Sequence, residues 1–215
     1  MIQRTELSNG IRVVTEEVPG TRSVCVGAQV AVGSIHDPTG QSGLAHFAEH
    51  ALFQGTSGRD ASEISRMIDQ AGGHMGAFTS RDYTCFHAHV MQDYTPFAID
   101  LLADILLNST FPEEHLARER QAIVNEIKLN HDEPFSRIND LLRSKMWPGQ
   151  PHGLPVSGDI EAVSNITRED VIYFVGQNYL PDRLIISAAG AVKHCLLYTS
   201  PSPRDATLSR MPSSA

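Results

Sequence analysis

Apolar and polar positions recur along the chain in two periods, and the switches between them mark its elements. Residues 3–32 carry the short β-prone runs of strands. Asn9-Gly10, between Leu7 and Ile11, is the dipeptide of a tight hairpin turn. Ser23-Val-Cys-Val-Gly-Ala-Gln-Val-Ala-Val32 is rich in valine and nearly uncharged, which predicts a central, well-buried strand. A polar loop rich in Gly, Asp and Pro then runs from Gly33 to Gly43 and delivers the chain into a helix ended by Gly55-Thr-Ser-Gly58.

The helical period dominates the middle of the chain. Residues 61–71 place Ile64, Met67 and Ile68 on one face, and Gly72-Gly73 stops that helix. The stretches from His74 to Ser80 and from Tyr83 to Val90 read as paired strands. Residues 95–108 form an amphipathic helix with Pro96 in its first turn. A long helix from Pro112 to Asn130 opens on Glu113 and Glu114, where the helix dipole favours acids. Further helices are predicted over 135–146 and from the N-cap Thr167 to about Asn178, with a loop at 148–155 and a last strand from Arg183 to Gly190. This order predicts an α+β fold, a mainly antiparallel sheet with helices packed on one face.

Composition narrows the class. The 215 residues suffice for one sizeable domain or two small ones, and 41% hydrophobic with 20% charged residues suits a soluble globular chain. A net charge of −8 disfavours nucleic acid and anionic membranes as partners. Cys25, Cys85 and Cys195 are odd in number and widely spaced, which suits a reducing compartment, and the expected location is cytoplasmic. No leader-like start and no membrane-spanning run is evident.

The chemistry concentrates in Gly43-Leu-Ala-His46-Phe-Ala-Glu49-His50-Ala-Leu-Phe53. On a helix His46 and His50 are four apart and share a face, the spacing at which two imidazoles bind one zinc ion. Glu49 lies beside that face, where a carboxylate can take a proton from a zinc-activated water. His-x-x-Glu-His is the inverted form of the commoner zinc-protease helix. A third ligand must come from elsewhere. Glu119 and Glu126 on the long helix are seven apart and point to one side, and a carboxylate from that helix completes a catalytic donor set.

The stretch from Gly43 to Thr56 closely resembles the motif helix of the pitrilysin/insulysin family of zinc metallopeptidases, and looks most like the processing-peptidase branch that includes the mitochondrial processing peptidase β subunit. Leu7-Ser-Asn-Gly-Ile-Arg-Val13, Ala77-Phe-Thr-Ser80, Leu106-Leu-Asn-Ser-Thr-Phe111 and Arg118-Glu-Arg-Gln-Ala-Ile-Val-Asn-Glu-Ile127 agree in order and spacing, so the resemblance covers residues 1 to about 194. It implies that His46, His50 and Glu126 bind Zn2+, that Glu49 is the general base, and that Glu119 supports the catalytic site without binding the metal. It implies that Gly76, Ala77, Phe78 and Thr79 lie on an edge strand that receives a peptide substrate by β-addition. The family usually has Asn where Gly76 stands, so a substrate-contacting amide is missing here.

The implied activity is a zinc endopeptidase acting on extended or unfolded peptides. The alternative is a non-catalytic peptide-binding or structural subunit, but such members typically lose a ligand or the base, and all four groups are present. In the family a second half-domain follows and chains pair, so a second half or a partner subunit, in a dimer, is expected. His87 and His89 alternate on one strand face and read as ordinary partly buried histidines, and Cys85 as a small buried hydrophobe. Residues 195–215 lose all periodicity and are dense in Ser and Pro. They are expected to be a non-native or disordered tail behind a domain spanning 1–194, truncated at its C-terminal end.

Overall fold

A computed structural model describes residues 1–199. The chain begins with a hairpin of β1 (Ile2–Glu6) and β2 (Arg12–Glu17). Gly10 takes φ +93°, which a side chain would strain, and the Asn9 side chain accepts the Ile11 N–H at 3.2 Å. β3 (Ser23–Val30) follows, then α1 (Leu44–Leu52), α2 (Ala61–Gln70), β4 (His74–Thr79), β5 (Thr84–Met91) and α3 (Thr95–Asn108). The rest is α4 (Glu113–Asp132), α5 (Pro134–Met146), α6 (Ile160–Asn165), α7 (Arg168–Asn178), β6 (Leu184–Gly190) and α8 (Leu196–Thr199).

The six strands form one sheet in the order β1-β2-β6-β3-β5-β4. Every neighbouring pair is antiparallel except β2 and β6. β3 is central, as its valines predict, but only one of its faces is covered. Val24, Val26, Ala28 and Val30 are buried, whereas Cys25 on the opposite face is exposed. α3 packs on β3 and β5, and α1 packs on β4, α4 and α7. The core gathers Phe47, Phe86, Leu101, Ile105, Leu116 and Ile123, all at most 2% exposed.

Sequence and structure differ at α6 and at the end of α4. α6 is not expected from the sequence. It has six residues and buries only Val163, too little for a period to register, although Asp159 caps it by accepting the Ala162 N–H at 2.9 Å. α4 runs to Asp132, two residues past the expected end, and stops only because Pro134 opens α5. At the end of the expected domain the His194 imidazole bridges Thr5 and Thr15 at 2.8 Å each, and the first residues of the expected tail run into α8, where Leu197 is buried. The remainder of the expected tail, residues 200–215, lies outside the described residues. Among the described residues no helix is long and apolar enough to cross a membrane.

Candidate metal centre

α1 has no side-chain cap of its own. Its N-cap is Gly43 at φ +95°, pressed so closely on the 157–158 loop that a Cβ would meet Ser157 O at 2.6 Å. The capping carboxylate comes from the preceding loop. Asp37 accepts the Gly43 N–H at 2.7 Å and the Ala45 N–H at 2.8 Å. Burial pushes the Asp37 carboxyl up to about 7, against the pull of those N–H groups. Gly43 and Asp37 thus fix where the first turn of α1 begins, and with it the direction in which His46 and His50 point.

α4 lies against α1 and brings the second carboxylate set. Arg120 sits over the Phe47 ring at 5.7 Å and donates to Ile166 O at 2.7 Å, tying α4 to the start of α7. With α4 so held, Glu126 Oε2 is 3.7 Å from His46 Nε2 and 3.8 Å from His50 Nε2. Ligand atoms of these three residues all lie within 4.8 Å of one another. Glu119, two turns earlier on α4, accepts from His50 Nδ1 at 2.9 Å. That bond fixes the tautomer, so His50 offers Nε2 to the centre. His46 Nδ1 is buried without a partner among the described residues, and His46 is 8% exposed.

Burial, helped by the nearby His50, lowers His46 to a pKa of about 4, so it is a neutral donor at ordinary pH. Burial also pulls His50 down, but the Glu119 hydrogen bond and the charges of Glu49, Glu119 and Glu126 outweigh it and raise it. Glu49 is 7% exposed, and burial raises its carboxyl. Two neutralisable imidazoles and a carboxylate are the donor set zinc takes. Bonds of about 2.0–2.1 Å in a tetrahedral shell put ligand atoms roughly 3.4 Å apart. The observed nitrogen-to-oxygen spacings exceed that by only a few tenths of an ångström, so the residues fit the ion.

These groups open on a cleft of about 620 Å³ whose other walls are β4 and α5. Ala77, Phe78 and Thr79 line it from β4, and Phe135, Asn139 and Arg143 from α5. β4 is an edge strand of the sheet, at the end opposite β1. Ser80 N–H pairs with Tyr83 O across the turn at 2.8 Å. By the two-residue alternation of an antiparallel ladder, the Phe78 and Gly76 backbone groups therefore face β5, while those of Ala77 and Thr79 face the free edge. Gly76 also has a local reason to lack a side chain, because a Cβ there would press on the His87 ring at 3.3 Å.

Of the residues named from the sequence, the structure brings His46, Glu49, His50, Glu119 and Glu126 into one cluster and sets Ala77, Phe78 and Thr79 on the wall beside it. Gly76 is one residue further along β4 and does not line the cleft. One residue and one side-chain role escape a reading of the sequence. Asp37 gives only a weak signal, an acid six positions ahead of a helix-opening glycine. The hydroxyl of Thr79 gives none, because its partner Glu49 is thirty residues away.

An edge strand running beside a His-x-x-Glu-His helix, with a carboxylate helix across from it, defines the class as an α+β domain with a candidate metal centre. Residues 12–160 match the insulinase family (peptidase family M16), and the chain belongs to it. Its sequence is 37% identical over 192 residues to an uncharacterised zinc protease of Bacillus subtilis, YmxG, covering 89% of this chain and 47% of that one. It is 39% identical over 191 residues to the mitochondrial-processing peptidase β subunit of Dictyostelium discoideum, covering 88% of this chain and 40% of the relative. The fold matches a protease from Helicobacter pylori at a TM-score of 0.85 and 24% identity, over 90% of this chain and 47% of that one. It also matches an inactive peptidase M16 domain from Pseudomonas fluorescens at a TM-score of 0.87 and 20% identity, over all of this chain and 52% of that one. The chain spans less than half the length of these curated relatives.

Proposed function

We propose that this chain is the metal-bearing half of a zinc-dependent endopeptidase that cleaves extended or unfolded peptides. The observation that carries the reading is the convergence of His46, His50 and Glu126 beside a buried Glu49, on a cleft walled by an open sheet edge. His46 Nε2, His50 Nε2 and Glu126 would hold the zinc, with Glu119 steadying His50. When bound, zinc supplies Lewis acidity, which acidifies a water and polarises a peptide carbonyl.

The chain's own residues do the rest. Ala77 and Thr79 offer backbone groups along the β4 edge, so an extended peptide can add as a further strand and lie across the centre. Glu49 takes the water's proton and returns it to the leaving amine. Its low exposure lets it keep a proton while the bond breaks, because burial disfavours the charged form. A second half-domain or partner subunit would close the cleft, in keeping with the greater length of the relatives.

Glu49→Gln tests the reading. It keeps the size of the side chain but cannot accept the proton. Zinc content should stay at the wild-type level while hydrolysis of an unfolded protein falls by roughly two to four orders of magnitude. Near-normal turnover would remove Glu49 from the role of base.

A further inference from the structure

The carboxylate of Glu49 is held by a single residue, and that residue sits on the strand whose edge faces the cleft. Thr79 Oγ1 donates to Glu49 Oε2 at 2.7 Å. Among the described residues this is the side-chain hydrogen bond that reaches Glu49. A hydroxyl has one proton to give. Thr84 Oγ1 lies 3.5 Å from Thr79 Oγ1, but Thr84 already gives its own proton to Val32 O at 2.9 Å. The Thr84 oxygen therefore competes for the Thr79 proton only at the limit of hydrogen-bond reach, and the shorter bond to Glu49 takes it. Thr84 is fully buried and Val32 lies in the core, so this backing does not shift.

We propose that Thr79 is a positioning residue for Glu49. Its hydroxyl occupies Oε2, leaves Oε1 as the oxygen that takes the proton, and ties the base to the strand whose edge faces the cleft. The inference rests on the peptidase reading above and adds a link within it. Thr79 is the last residue of β4, and its backbone faces the free edge. A peptide that pairs with Ala77 and Thr79 orders the same segment that aims the carboxylate. A peptide paired on that edge and the base aimed by Thr79 then share one reference strand, which fixes the base relative to the scissile bond. This role differs from a contact to substrate, because the Thr79 side chain points to α1 and not along the edge.

Two substitutions separate the possibilities. Thr79→Val keeps the β-branched shape and the backbone but has no hydroxyl, while Thr79→Ser restores the hydroxyl on a smaller side chain. With the zinc-loaded chain and an unfolded protein as substrate, Thr79→Val should lower kcat about tenfold or more, with KM within about twofold. Zinc content should be unchanged in both variants, and Thr79→Ser should recover most of kcat. Crystal structures of the zinc-loaded proteins should find the Glu49 carboxylate turned away in Thr79→Val and returned in Thr79→Ser. An unaffected kcat, a change confined to KM, or a Glu49 that stays in place in Thr79→Val would overturn the proposal. A wild-type chain no faster than Glu49→Gln would count against the peptidase reading instead, and the crystallographic comparison would then decide the role of Thr79 alone.

Discussion

At the residue scale, the centre is built from one contiguous motif and a few distant supports. His46, Glu49 and His50 could be found from the sequence because a helix converts their spacing directly into a shared face. Glu119 and Glu126 were legible only as a pair on one side of a long helix, and the fold separates them by geometry. Glu126 approaches both imidazole Nε2 atoms, and Glu119 takes His50 Nδ1. Glu119→Gln should therefore leave zinc bound but weaken it, by roughly 10–100-fold in affinity, the usual cost of losing a hydrogen-bonding partner behind a metal ligand. Competition with a zinc chelator measures this, and an unchanged affinity would detach Glu119 from the centre. Asp37 and the Thr79 hydroxyl were not legible, because each acts on a partner brought near only by folding.

At the element scale, strand and helix periods predicted most of the architecture, including the helices that flank the cleft, whereas the edge position of β4 was implied only by the family resemblance. The periods could not reveal which strands neighbour which. β6 lies between β2 and β3, so among the described residues the only parallel pairing joins β2 to a strand about 170 residues later. The ladder also refines where a substrate would pair. Proline at Phe78 would break the β4–β5 ladder, whereas Ala77→Pro removes a donor from the free edge and spares it. Ala77→Pro should raise KM or abolish cleavage with zinc content unchanged. An unaffected rate on several peptides would move substrate binding off this strand.

The loop that caps α1 carries a pH dependence. Asp37 has a folded pKa of about 7, whereas an unfolded Asp titrates near 3.9. Between those values the folded state holds a proton that the unfolded state has lost. Stability from this group therefore falls as pH rises through that window, by at most roughly 1.4 kcal/mol per pH unit. Below about pH 4 neither state is favoured by it, and above 7 the full cost is present. Asp37→Asn lacks the titration, so denaturant unfolding of metal-free protein should find the variant gaining on the wild type between pH 4.5 and 7.5. A gap that stays constant or widens against the variant would mean that the carboxylate is charged throughout.

At the scale of the whole molecule, the chain leaves apolar surface uncovered next to its cleft. Phe135, Ile138, Leu142 and Met146 follow one side of α5 and are each more than half exposed. The curated relatives are more than twice as long as the segment they share with this chain. On the proposed reading, the chain alone should associate in solution and cleave slowly. Adding the C-terminal half of a relative such as YmxG should raise the rate, and a lone chain as fast as the full-length relative would contradict this.

The central claim is that His46, His50 and Glu126 hold one zinc ion. Metal analysis of the purified chain after zinc loading and dialysis tests it most directly. About one zinc per chain is predicted for the wild type and for Glu49→Gln, and none for His46→Ala, His50→Ala or Glu126→Ala, because three protein ligands are the usual number at a catalytic zinc. Zinc-free wild type, or a stoichiometric zinc that survives His50→Ala, would contradict the account.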